Sequence, residues 1–170
     1  MANASGTPSS WIMQWAGLIA VGATVLDVAA GGGRHSRFFA DRRHAVTALE
    51  RDTSALVAHA GIEVVQADLE DGSPWPLPGR TFGAVVVTNY LHRPLFPALL
   101  DALAPGGVLL YETFMEGNER FGRPNRPEFL LRDGELLELV RGRLSVTAYE
   151  ARMISAPTMA MVQRIAARRP

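Results

Sequence analysis

The spacing of apolar positions changes along this chain, and the changes divide it into elements. Trp11, Ile12, Trp15, Leu18 and Ile19 recur at helical spacing, with Ser9 or Ser10 placed to cap the helix and Gly22 to end the segment. Thr24–Val28 is a short run rich in β-branched residues, the pattern of a strand covered on both faces. Gly31-Gly32-Gly33 breaks it, and a helix is predicted from about His35 to Arg42. The alternation continues with a strand at Ala45–Leu49, a short helix at Ser54–Ala60 and a strand at Glu63–Ala67. After a polar, proline-rich connection over Glu70–Thr81, Phe82–Thr88 reads as a fourth buried strand. Leu95–Leu103 reads as a helix, Pro105-Gly106-Gly107 as a turn and Val108–Phe114 as a fifth strand. Met115–Pro127 predicts a long loop, followed by a helix over Phe129–Val140. Leu144–Glu150 and Thr158–Ala166 read as two last strands, with a turn near Pro157 and no helix between them.

Strands alternating with short helices imply an α/β fold: a doubly wound, mostly parallel sheet with helices on both faces. The last two strands have no crossover helix, so they are expected as an antiparallel hairpin at one sheet edge, completing seven strands. No repeat, linker or composition shift divides residues 1–170, which read as a single domain with a flexible tail over Met1–Pro8.

Composition removes several chemistries. The chain has no cysteine and no lysine, so all 17 basic residues are Arg, balanced by 17 Asp and Glu. Disulfides, cysteine zinc sites, thiol nucleophiles, lysine Schiff bases and P-loop lysines are therefore excluded. A net charge of zero argues against a nucleic-acid binder, which would carry a basic excess. Trp11–Ala30 is almost free of charge, but Gln14, Gly17, Gly22 and Asp27 interrupt it and no Arg precedes Arg34. It is expected to be a helix, a turn and a strand rather than a membrane span or leader. The cytoplasm is the expected compartment.

In an open parallel sheet, ligands bind beyond the carboxyl ends of the strands, where the strand order switches. The first strand ends in Asp27-Val-Ala-Ala-Gly-Gly-Gly33, where glycines let backbone approach a ligand. The second ends in Glu50, 23 positions after Asp27, where an acid can accept from both hydroxyls of a ribose. The third ends in Asp68-Leu69 and the fourth in Asn89-Tyr90. Each feature alone also suits an ordinary turn, but in this order on strand ends they point to a nucleoside ligand. Gly31-x-Gly33-x-x-Ser36 matches a dinucleotide fingerprint only loosely, and no room is left for a second catalytic domain. Asp27, just before the glycines, can pair with the ammonium of an amino acid.

These residues resemble the class I S-adenosylmethionine-dependent methyltransferases, over about Ser10 to Ala167. V-L-D-V-A-A-G-G-G-R-H-S is similar to the family's first motif, A-L-E-R-D to its ribose-binding acid and Q-A-D-L-E-D to its adenine-binding segment. V-V-V-T-N-Y-L-H and L-A-P-G-G-V-L-L-Y-E-T-F resemble its fourth and fifth strands, and the final hairpin its reversed seventh strand. Within the family, E-T-F-M-E-G-N-E-R-F-G-R-P-N-R-P-E-F-L-L resembles small bacterial enzymes related to the tellurite-resistance methyltransferases. The resemblance implies a Rossmann-like fold, S-adenosylmethionine as cofactor and S-adenosylhomocysteine as product. It implies that Asp27, Gly31 and Gly33 serve the methionine part and the loop there, Glu50 the ribose, and Arg51, Asp68 and Leu69 the adenine. Asn89 would line the methionine side. The family's first glycine is Ala29 in this chain.

The implied reaction is in-line displacement at the activated methyl carbon, which needs alignment and dryness more than covalent catalysis or a metal. His92 and Tyr90 are the candidates for assisting the acceptor, with Tyr111 and Glu112 nearby on the fifth strand. His35, His44, His59 and His92 show no metal spacing, and no metal is expected. Arg120, Arg123, Arg126 and Arg132 crowd the loop beyond the fifth strand, where guanidinium forks suit an anionic acceptor. Tyr111, Arg120 and Arg123 are the candidate substrate contacts. A small-molecule acceptor and a monomer or homodimer are expected. Two alternatives stay open: a binding or regulatory protein on the same fold, and an NAD(P)-dependent reductase.

Overall fold

The structure, a computed structural model, describes residues 6–170. Seven strands form one sheet in the order β3-β2-β1-β4-β5-β7-β6. The strands are β1 Val25–Val28, β2 Val46–Glu50, β3 Ile62–Gln66, β4 Phe82–Thr88, β5 Leu103–Phe114, β6 Ser145–Ile154 and β7 Ala160–Arg168. The pairs from β3 to β5 are parallel, while β7 runs antiparallel to both β5 and β6. Among the described residues, four short α-helices accompany them: α1 Ser10–Trp15, α2 Arg34–Ala40, α3 Phe96–Asp101 and α4 Glu135–Val140. The chain winds outward through β1, β2 and β3, then returns to lay β4 on the other side of β1. The β1–β4 boundary is therefore the switch point, where the outward turns at the strand ends leave a crevice.

Period-2 alternation fills a layer on each face of the sheet. Leu26, Val28, Val85, Val87, Leu109, Tyr111 and Ile165 pack on one face, with Leu99, Leu100 and Leu136 from the helices over them. Val25, Val46, Ala84, Val86, Val108, Leu110 and Ala166 pack on the other, under Trp11, Ile12, Phe38 and Phe39. Each Val, Leu, Ile or Phe among them, withdrawn from water, contributes about 1.5–3 kcal/mol, which is why the sheet centre is so uniformly apolar. The two-face burial expected of β1 and β4 is present, and α1 begins at the Ser9 cap, whose hydroxyl accepts from the Trp11 amide. No helix among the described residues is long and apolar enough to cross a membrane.

Several expected boundaries move. The helix predicted over Ser54–Ala60 is only a 3-10 turn at Thr53–Ala55: the Asp52 side chain caps its start, but Thr53, Val57 and His59 are poor helix formers and do not extend it. The turn predicted at Pro105-Gly106-Gly107 is a bulge within β5: Leu103 pairs with Phe82 and Val108 with Ala84, leaving the residues between as extra length. Gly107 is required there, since a Cβ on it would lie 2.7 Å from the Ala104 carbonyl oxygen. The helix predicted over Phe129–Val140 splits into a 3-10 turn at Pro127–Phe129, an extended stretch and α4. Leu131 prefers the sheet, donating to the Phe114 carbonyl at 3.0 Å and accepting from Glu116 at 2.9 Å. Gly134, at φ 71°, then turns the chain into α4. The flexible tail expected over Met1–Pro8 falls outside the described residues as far as Ser5. Beyond it, the Thr7 carbonyl accepts from Arg34 Nη1 at 3.1 Å.

Candidate active site

A cleft of about 1070 Å³ opens at the switch point. Its floor is the loop after β1: Ala29, Ala30, Gly31 and Gly32. Ala29 has φ 53° and Gly31 φ 56°, so the chain reverses sharply here and presents backbone to the cleft. Ala29 holds a left-handed conformation that costs an alanine about 1–2 kcal/mol. Gly33, at φ 73°, begins α2, where a Cβ would meet Leu56 Cδ2 at 2.7 Å. A nucleoside lies against such a loop only if backbone rather than side chain faces it, and nothing lies within 4 Å of the Cβ positions of Gly31 and Gly32.

Three acids sit around this floor with different partners. Asp27 is buried, accepts from Ser36 Oγ at 2.6 Å, and is pushed up to about 6 by burial against the pull of that hydrogen bond. It thus braces the start of α2 beneath the loop. Glu50 accepts from the amides of Gly31 at 2.7 Å, Arg51 at 2.9 Å and Asp52 at 3.1 Å. A carboxylate has about four acceptor positions, so about one remains for a hydroxyl unless Gly31 yields its own. Asp68 takes the Glu70 amide at 2.9 Å and stands 4.0 Å from Arg51. These carboxylates shape the β1–β2–β3 end of the cleft mainly by ordering its backbone.

A buried polar row runs under the opposite wall. His35 is 2% exposed, and burial holds its imidazole down to about 3, so it is neutral at physiological pH. Its Nε2 accepts from the Ser9 amide at 3.0 Å, which leaves Nδ1 protonated to donate to Thr88 Oγ1 at 3.2 Å. Ser9 Oγ donates to Glu112 Oε1 at 2.8 Å. Arg164 Nε lies 2.5 Å from Glu112 Oε2, an ion pair whose atoms do not align as a hydrogen bond. One row of side chains therefore ties the N-terminal cap to α2, β4, β5 and β7.

The remaining wall is built from the ends of β4 and β5 and the loop beyond them. Thr88, Asn89, Tyr90 and Leu91 line it, with Thr113 and Phe114, then Arg123, Pro124, Asn125, Arg126 and Phe129. Asn89 has φ 54°, a conformation asparagine tolerates. Burial raises the Tyr90 phenol, and the neighbouring Glu70 carboxylate raises it further, so Tyr90 is a neutral donor at physiological pH. Two anchors hold the loop. Buried Asn118 donates to the Pro124 carbonyl at 2.9 Å and accepts from the Met161 amide at 3.1 Å. Arg93 grips Glu135 at 2.6 and 2.8 Å, and its other donors reach the carbonyls of Glu128 and Leu130.

The cleft thus gathers Ala29, Gly31, Asn89, Tyr90, Arg123 and Arg126 from the residues singled out in the sequence. Asp27, Gly33, Glu50, Arg51, Asp68 and Leu69 are outside the lining: Glu50 ends β2 with Arg51 just after it, and Asp68 and Leu69 follow β3. Tyr111 is 1% exposed and donates to the Tyr90 carbonyl at 2.8 Å, so it meets the cleft only through that backbone. His92 precedes the 3-10 turn at Arg93–Leu95 and is outside the lining, as is Arg120, which turns to the Gly117 carbonyl. Sequence reasoning passed over His35, Arg34, Glu70, Thr88, Thr113, Phe114 and Phe129, all of which line the cleft. All seven lie within the motif segments themselves, and that membership is the signal the sequence offers for them.

The sequence matches the family described as methyltransferase domain over residues 26–111, just over half of the chain. No protein of curated function matches it. Among solved structures, TehB from Haemophilus influenzae superposes with a TM-score of 0.76 at 16% identity, over 99% of this chain and 64% of that one. This chain therefore spans somewhat less than two thirds of TehB. A glycopeptide N-methyltransferase, MtfA, complexed with S-adenosylhomocysteine, superposes at 0.67 with 23% identity, covering 99% and 91%. An S-adenosylmethionine-dependent methyltransferase from Mesorhizobium loti superposes at 0.71 with 17% identity, covering 95% and 99%. These structural likenesses concern the fold, including the reversed β7 that sets it apart from the six-stranded dinucleotide order. With the motifs of β1 to β5 inside the matched region, the chain belongs to the methyltransferase-domain family, the class I methyltransferases that use S-adenosylmethionine.

Proposed function

We propose that this chain transfers the methyl group of S-adenosylmethionine to a small-molecule acceptor, an anionic one being best suited to its arginine-bearing loop. The observation that carries the reading is the two-sided cleft. A backbone-lined floor at Ala29–Gly32 faces a wall of Asn89, Tyr90, Phe114, Arg123 and Arg126, across a volume at the top of the range for single-ligand pockets. That leaves room for an acceptor beside a nucleoside. The bound cofactor supplies an activated methyl and its own leaving group. The chain's part is then to bind, align and exclude water. Gly31 and Gly32 offer backbone, and Glu50 offers the acceptor position its amides leave unused. Asn89, presented by its left-handed backbone, and Tyr90, as a neutral donor, bound the side from which an acceptor approaches. Glu70, facing Tyr90, is the carboxylate in the lining that can take a proton from an acceptor. We read residues 1–170 as one domain, working as a monomer or homodimer without nucleic acid.

Calorimetry with S-adenosylmethionine, S-adenosylhomocysteine and NAD tests the reading, followed by methyl transfer over an acceptor panel. Binding of the first two at micromolar concentration, with none of NAD, is expected. Absence of both at millimolar concentration refutes the proposal. Tight cofactor binding without turnover on any acceptor would support a binding protein instead.

A further inference from the structure

Resting on the methyl-transfer reading, we propose that the acceptor is an organic carboxylate with a flat apolar body, seated between Phe114, Phe129 and Tyr90 and held at its anionic end by Arg123 and Arg126. Four guanidinium groups line the cleft, against one carboxylate, Glu70. Two of the four are engaged: Arg34 on the Thr7 carbonyl and Arg37 on the Gly32 carbonyl at 2.6 Å. The other two face the cleft with little to hold. Arg123 makes no side-chain hydrogen bond or ion pair among the described residues, and the carboxylate nearest Arg126 is Glu128 at 3.9 Å.

Free arginines on a loose loop would be ordinary solvated charge. Here the segment that carries them is pinned at both ends. Asn118 fixes Pro124, the residue after Arg123, to β7. Arg93 fixes the carbonyls of Glu128 and Leu130, just beyond Arg126, and is itself clamped by buried Glu135. A pinned backbone presents these cations from a fixed place, so recognition of an oxyanion costs the ordering of their side chains but not of the loop. A bare inorganic oxyanion would explain the arginines but not their neighbours. Phe129 is 44% exposed, and with Phe114 and Tyr90 it gives this half of the cleft three aromatic faces. Rings that stay this open contribute when a planar apolar surface covers them, and guanidinium planes pack on such surfaces too.

The experiment titrates benzoate, benzamide and acetate, with and without saturating S-adenosylhomocysteine, and follows binding by ligand-observed NMR. Benzoate presents ring and charge, benzamide the ring alone and acetate the charge alone. Benzoate is expected to bind about tenfold more tightly than either, since both halves of the site contribute. R123A/R126A should bring benzoate down to the benzamide level, and R123K, which keeps charge but loses the fork, should fall between. Equal binding of benzoate and acetate would leave a site for simple oxyanions and overturn the proposal. So would equal binding of benzoate and benzamide, or no benzoate binding at all. A second source of carboxylate is the cofactor's own amino-acid end. If R123A weakens S-adenosylhomocysteine but leaves 5′-methylthioadenosine unchanged, the arginine serves the cofactor and the proposal fails. Failure of wild type to bind S-adenosylhomocysteine would refute the methyl-transfer reading itself, while benzoate titrated without cofactor still decides the subsite.

Discussion

Replacing Arg93 by alanine should both destabilise the fold and unmoor the arginine loop. Arg93 donates twice to Glu135, at 2.6 and 2.8 Å, and once each to the carbonyls of Glu128 and Leu130, at 3.1 and 2.8 Å. Glu135 is 6% exposed, so removing Arg93 leaves a buried carboxylate without its main partner. Breaking a buried pair in this way costs about 3–5 kcal/mol. The Arg132 amide at 2.8 Å and its guanidinium at 3.6 Å soften the loss, and Arg93 is itself one-third exposed, so about 2–3 kcal/mol is expected. For a domain of this size that lowers Tm by about 4–12 °C in a thermal scan. The effect carries a pH signature. Burial alone would raise the Glu135 carboxyl, but hydrogen bonds from Arg93 and Arg132 outweigh it and leave it below its ordinary value. A depressed carboxylate contributes stability above its unfolded pKa and loses it as pH falls through its folded pKa. Without Arg93 the buried carboxyl titrates higher than in wild type, so the gap between wild type and R93A in urea unfolding should be full at pH 7 and should narrow as pH falls into and through the carboxylate range. In a double-mutant cycle, R93A/E135A should cost less than the two single changes added, by about 1 kcal/mol or more. A gap that is the same at pH 7 and pH 3, or strict additivity, would refute the account.

Three further outcomes are expected. Tyr111→Phe removes the donor to the Tyr90 carbonyl and should cost about 1–2 kcal/mol in urea unfolding, with S-adenosylhomocysteine affinity changed by less than about threefold; a large affinity loss with intact stability would mean Tyr111 meets the ligand directly. Ala29→Gly relieves a left-handed alanine but frees the unfolded chain, two terms of about 1 kcal/mol that offset, so Tm should move by only about 3 °C and cofactor affinity, read by calorimetry, should not weaken. Asp27→Asn should steepen acid destabilisation. As pH falls through about 6, folded Asp27 takes a proton its unfolded form does not, which stabilises, while unfolded His35 takes one that the folded ring refuses until about 3, which destabilises. These terms nearly cancel between about pH 6 and 4 in wild type, whereas the variant should lose about 1.4 kcal/mol per pH unit there; parallel curves for the two proteins would sink this reading.

The parts of this molecule that were legible in its sequence are those written in local period. β1, β4 and the reversed β7 are short runs whose neighbours need no long-range information, and the strand-end residues Asp27, Glu50 and Asn89 follow from them. The errors arose where a long-range partner outbid local preference. Leu130 and Leu131 continue an apolar pattern that reads as helix, yet the backbone of Phe114 and Glu116, beyond the end of β4, takes Leu131 into a bridge alongside the end of β5. Pro105-Gly106-Gly107 reads as a turn because no local signal says that Leu103 already pairs with Phe82. Ser54–Ala60 differs in its reason: the cap at Asp52 starts a turn that a weak helical run cannot extend.

The site follows the same division. Its floor was legible, because a ligand that meets backbone needs glycines in one place. Its working wall was not, because it is assembled from pairs far apart in the chain: Ser9 with His35 and Glu112, Arg93 with Glu135, Asn118 with Met161. None of these pairs is close enough along the chain to be read as a motif. Such pairs hold the lining in place: His35 bonds the Thr88 hydroxyl, Tyr111 the Tyr90 carbonyl, and the segment with Arg123 and Arg126 lies between the anchors of Asn118 and Arg93. A buried histidine held neutral is the clearest instance. Read along the sequence, His35 was one of four scattered histidines without metal spacing. In the fold its value is that it does not titrate near neutral pH, so the contact it makes between the N-terminal cap and Thr88 is the same across the neutral range.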